Sequence, residues 1–196
     1  MDTETAELRV LEAARTLFDE RGVQAVGMDA IRAASGVSLK RLYQVFPSKE
    51  ALVEEVLRRR DTEVLTAIAA YGDAHAHTPY ERILAVFDYL AEWFARPDFH
   101  GCAFINAYGE LHGVSPGVAA LSRGHKESMR AYLATLTAAL PLPAPTATRL
   151  ADQLAILANG AMATAALTGS PETATAAREA AEVLVRVELE KKAAER

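Results

Sequence analysis

Residues 22–52, GVQAVGMDAIRAASGVSLKRLYQVFPSKEAL, constrain the fold of this 196-residue chain more than any other stretch, because apolar spacing, glycines and capping residues alternate there at the pitch of short helices. Ile31, Ala34 and Val37 are followed, after Ser38, by Leu39, Leu42, Tyr43 and Phe46. That spacing holds two short helices against each other across a turn at Gly36. Ser38 is placed to cap the second helix, whose outward side carries Lys40, Arg41 and Gln44, side chains long enough to reach phosphates or base edges in a major groove. Pro47 ends that helix and Ser48 caps the next. Arg32, on the preceding helix, reads equally as a phosphate contact or a surface charge.

Charge agrees with a nucleic-acid role confined to this part of the chain. The net charge is −5, yet residues 21–60 hold eight Lys/Arg against four Asp/Glu, while residues 61–196 hold eleven against sixteen. Attraction to phosphate is therefore local, and the acidic remainder avoids DNA. Cys102 is the single cysteine, which excludes an intrachain disulfide and suits a reducing compartment. His75 and His77 are two apart, and His100 and His112 lack partners at ligand spacing, so neither a metal nor a cofactor is expected. The N-terminus is acidic and without an apolar signal core, and no run approaches the roughly 18 apolar residues of a membrane span. A cytoplasmic protein with no membrane partner is the expectation.

The rest of the chain reads as helices. Leu8, Leu11, Ala14, Leu17 and Phe18 form one face of a helix over about Thr3 to Arg21, stopped by Gly22. A longer helix runs from Lys49 to about Tyr71 with Leu52, Val56, Leu57, Val64, Leu65 and Ile68 inward. Pro79 opens a helix to about Phe94; a short helix from Cys102 to about Leu111 follows, and Pro116 opens another through Leu136. After PLPAP come two final helices, about Thr146 to Leu167 and Glu172 to Ala194, separated by TGSP. The fold class is all-α, with about nine helices and no strand-like alternation.

The string GVSLKRLYQVFPSKEAL, preceded by Ala13, Ala14, Leu17, Phe18 and Gly22, resembles the tetracycline-repressor-type (TetR/AcrR) family of bacterial transcription regulators over roughly residues 8–58. The resemblance implies a three-helix helix-turn-helix DNA-binding domain over residues 1–50 and a helical effector-binding and dimerisation domain over 51–196. It also implies that Tyr43 and Lys49 touch phosphates and that residues 39–45, Leu39 included, enter the major groove. The chain departs from the family at Gly27, where a Thr is usual, and at Lys40-Arg41 and Val45, where Gly-Thr and His are frequent. The bases read are therefore this chain's own.

The family resemblance places a small-molecule pocket among the middle helices. Trp93, Tyr108 and Tyr132 would add polar tips to its apolar walls, with Phe104 and Asn106 nearby. His125, Met129 and Tyr132 share one helix face by their spacing. Each of these also reads as ordinary core, Asn106 also as a turn cap, and Cys102 as a reactive thiol or a buried inert one. On the last two helices Ala151, Leu154, Ala155, Ala158, Met162 and Ala165 face together, as do Ala177, Ala180, Ala181, Leu184 and Val187. These faces serve either intrachain packing or, as the resemblance implies, a homodimeric four-helix bundle. The expected partners are double-stranded operator DNA, an unidentified small-molecule effector and a second copy of the chain. The expected function is a ligand-responsive homodimeric transcription regulator, read as a repressor released by a largely apolar effector rather than an enzyme. An activator on the same fold, or an enzyme using Cys102 or a histidine, are the alternatives.

Overall fold

The computed structural model of the chain describes residues 2–194, and among these it contains nine α-helices and no strand. They are α1 Thr3–Arg21, α2 Met28–Ser35, α3 Leu39–Val45, α4 Lys49–His75, α5 Pro79–Phe94, α6 Ala103–Leu111, α7 Pro116–Ala138, α8 Ala144–Thr168 and α9 Glu172–Ala194. Most helix ends fall where local chemistry requires them. Asp2 caps α1 by accepting the Thr5 N–H at 2.8 Å, and Gly22, at φ +81°, closes it. Thr78 and Glu81 form a reciprocal capping box before Pro79 at the start of α5. Gly169, at φ +66°, ends α8 in the left-handed conformation that costs glycine least.

The described residues divide into two compact units, 2–63 with 102–125, and 64–101 with 126–194. In the first, α1, α2 and α3 pack on one another around Val10, Ala14, Ile31 and Leu42, each fully buried. Leu52, Phe104 and Val118, from α4, α6 and α7, are buried in the same unit. Arg60 and Asp19 form a two-bond ion pair, 2.6 Å at both contacts, between α4 and α1. Burial acts to lower the Arg60 pKa, but the Asp19 carboxylate outweighs it and raises the value above its ordinary range. Four expected packing positions differ: Ala34, Leu39 and Tyr43 are exposed, and Leu8 is 52% exposed on the outer side of α1.

In the second unit α5, α8 and α9 pack against one another, with Ile83, Phe87, Leu90, Leu150, Leu154, Ala181 and Val185 at their contact faces fully or almost fully buried. α8 is long and apolar enough to cross a membrane by length and composition, with a mean hydropathy of 1.3 over its most apolar 18 residues, which corrects the expectation that no segment approaches that test. The physical reason is its alanine-rich inner face, Ala147, Ala151, Ala155, Ala158, Ala161 and Ala165, all buried within the chain.

Candidate nucleic-acid interface

α2 begins at Gly27, which supplies no side-chain cap, so only backbone N–H groups are presented at that end. Its other end turns at Gly36, φ +65°, whose N–H donates to the Arg32 carbonyl at 3.1 Å. Buried Ser35 ties the turn from inside: its hydroxyl donates to the Arg32 carbonyl at 3.2 Å and accepts the Val37 N–H at 3.4 Å. The chain then reverses into α3, which Ser38 caps by accepting the Arg41 N–H at 3.3 Å.

α3 is anchored by one face alone. Leu42 is fully buried and Phe46, just beyond the helix, is almost so, whereas Leu39 and Tyr43 are each 46% exposed and Lys40 and Gln44 are exposed. A seven-residue helix bearing two large apolar groups, a cation and an amide outward presents a surface for contact. Arg41 is half-buried; its guanidinium donates to Gln44 Oε1 at 3.3 Å and to Thr3 Oγ1 at 2.8 Å. Arg32 lies 3.8 Å from Asp29 on the exposed side of α2.

Lys49 opens α4 after Ser48, whose hydroxyl accepts the Ala51 N–H at 3.1 Å. The Lys49 ammonium donates to the Gln24 carbonyl at 3.4 Å. Burial lowers its pKa, with the Glu110 carboxylate opposing the shift. Beside it lies a cleft of about 230 Å³ lined by Val23, Val53, Leu111, Val114, Val118, Glu50 and Ser115.

Glu110, on α6, is the residue that sequence reasoning missed here. Its carboxylate accepts the Val23 N–H at 3.1 Å and the Gln24 N–H at 2.7 Å, and the Gln24 side chain donates to the Glu110 carbonyl at 2.5 Å. A Cβ on Gly22 would lie 3.0 Å from Glu110 Oε1, so the glycine leaves room for this approach. The start of α7 makes a second such contact: the Ser115 hydroxyl donates to Glu50 at 2.7 Å, and a Cβ on Gly117 would come within 1.9 Å of Glu54.

The residues expected to line an effector pocket fall into both units. In the first, Phe104 and His125 are buried and their rings stack at 3.7 Å, 7° from parallel. His125 Nδ1 lies 2.7 Å from Asp61, whose carboxylate only accepts, so Nδ1 carries the proton of that bond. Asn106 lines a small crevice with Phe18, Ala103 and Ala107, and Tyr108 stacks on His112 with 37% of its surface exposed. In the second unit Trp93 meets the edge of Phe99 at 5.2 Å, Met129 is buried, and Tyr132 is half-buried beside Gly72. Cys102 is buried at the start of α6.

The two small-residue faces are occupied by the chain itself. Ala151, Leu154, Ala155, Ala158, Met162, Ala165, Ala177 and Ala181 are all buried within the single chain; Ala180 and Leu184 are half-buried, and only Val187 is exposed. The open apolar stripe on α8 is instead Ile156, Gly160, Ala163 and Leu167, and on α9 it is Ala176, Val183 and Val187.

Comparison with known proteins gives concordant matches. Residues 10–56 match the family model described as bacterial regulatory proteins, tetR family. An uncharacterised HTH-type transcriptional regulator of Mycobacterium tuberculosis is 33% identical over 143 residues, 65% of this chain and 64% of that protein. The chain thus spans just under two thirds of the length of that relative. An HTH-type transcriptional regulator of Staphylococcus aureus is 32% identical over 85 residues, 43% of this chain and 45% of the relative. The crystal structure of a TetR-family transcriptional regulator from Streptomyces coelicolor superposes with a TM-score of 0.87 at 25% identity, covering 95% of this chain and 97% of that one.

Proposed function

Because the chain belongs to the TetR family of bacterial transcriptional regulators, we propose that it is a cytoplasmic, homodimeric repressor that binds operator DNA through α3 and is released by a small, largely apolar effector. The observation that carries the DNA-binding reading is α3 itself, capped by Ser38, anchored through Leu42, and exposing Leu39, Lys40, Tyr43 and Gln44. In this reading Lys49, Tyr43 and Arg32 contact phosphates and set the register, while Lys40, Arg41 and Gln44 read base edges.

The homodimer reading draws support from the exposed stripe on α8 and α9, where small residues would let a second copy approach closely. Release by an effector requires that the ligand bind the DNA-incompetent arrangement more tightly, since equal affinity for both would shift nothing. α4 and α7 each contribute residues to both compact units.

Selection of bound fragments from the source genome tests the reading. Near-palindromic operators are expected, with half-site centres about 34–36 Å apart or at a multiple of that spacing. Absence of any selected duplex, or a protein that sediments as a monomer on a single half-site, would reject it.

A further inference from the structure

The first turn of α1 is tied to the recognition helix through one side chain. Arg41 Nη2 donates to Thr3 Oγ1 at 2.8 Å, while Nη1 donates to Gln44 Oε1 at 3.3 Å. Thr3 itself sits at a stabilised helix end, because the Asp2 carboxylate accepts both the Thr5 N–H at 2.8 Å and the Thr5 hydroxyl at 2.9 Å. A guanidinium carries five N–H donors and no acceptor, so these two bonds leave three donors for a base edge. Held at two points, the fork also has less rotamer freedom to lose when it meets an acceptor pair such as guanine O6 and N7.

We propose that Thr3 is a positioning residue for sequence discrimination: its hydroxyl aims the Arg41 fork, so that the start of α1, Arg41 and Gln44 act as one base-reading unit. This rests on the reading of Arg41 as a base contact. Thr3 lies outside the segment matched by the family model, residues 10–56. Its hydroxyl is the group that accepts the Arg41 guanidinium bond.

The test uses the full chain and a randomised operator library, comparing native protein with Thr3→Val, Thr3→Ser, Arg41→Ala and the Thr3→Val/Arg41→Ala pair. Thr3→Val keeps the shape of the side chain and removes only the hydroxyl. It is expected to lose on the order of tenfold discrimination at the same base pair where Arg41→Ala loses it. Affinity for random duplex, its salt slope and the melting midpoint should stay native. Thr3→Ser should restore discrimination, and the pair should lose no more than Arg41→Ala alone. Native preference in Thr3→Val alongside altered preference in Arg41→Ala overturns the proposal and leaves the Arg41 reading standing. Native preference in Arg41→Ala overturns that reading and the proposal with it. Additive losses in the pair, or failure of Thr3→Ser to restore preference, would make Thr3 an independent contact rather than a positioning one.

Discussion

Lys49 combines three circumstances at a single position: it begins α4, its ammonium reaches back to the Gln24 carbonyl, and burial beside a valine-lined cleft lowers its pKa. In the proposed DNA-binding reading, a cation placed this way would serve phosphate geometry rather than base identity. Lys49→Ala is therefore expected to weaken specific and random duplexes alike and to reduce the log–log salt slope by about 1, measured by titration at several salt concentrations. A changed base preference in that variant would reassign the residue. Readability at this scale follows distance along the chain. Gly36, Ser38 and Ser48 act on groups within four positions, so their chemistry was apparent from neighbours alone. Glu110 acts on Val23 and Gln24 across 87 and 86 positions, and nothing in either segment names the other.

Helix boundaries obey the same locality, since caps, prolines and positive-φ glycines lie at the ends they specify. The partner of each apolar face does not. Ala151, Leu154 and Ala158 announce a face to be covered, and they are buried within the single chain, where α8 packs on α5 and α9. Periodicity records that a stripe is apolar and is silent about what meets it. Between α4 and α5 a polar contact supplies its own test. The Tyr71 hydroxyl donates to Glu92 at 2.8 Å, and burial together with that carboxylate raises the phenol pKa to about 12. The unfolded chain releases this proton near pH 10, so between about pH 10 and 12 the folded state binds more protons and stability falls as pH rises. Tyr71→Phe is expected to flatten that alkaline decline in thermal melts recorded across the window; an unchanged slope would place the loss elsewhere.

For the whole molecule, Ile156 and Leu167 are 71% and 88% exposed in a single copy, and Val183 is 47% exposed. Placing carboxylates on such a stripe scarcely perturbs the single chain but sets like charges against each other in a symmetric pairing. Ile156→Glu with Leu167→Glu is expected to shift sedimentation from dimer to monomer with the melting of the chain nearly native. A dimer that persists would locate the interface on another surface.

The first compact unit draws residues 102–125 back onto the N-terminal helices, burying Phe104, Ala107 and Val118 there and bonding Glu110 and Ser115 to Gln24 and Glu50. A chimera that grafted only the amino-terminal helices onto another sensor would strip their inner surface of these side chains and leave the Val23 and Gln24 amides without their acceptor. For engineering, the transplantable cassette is discontinuous: α6 and the first half of α7 must travel with the reader they support.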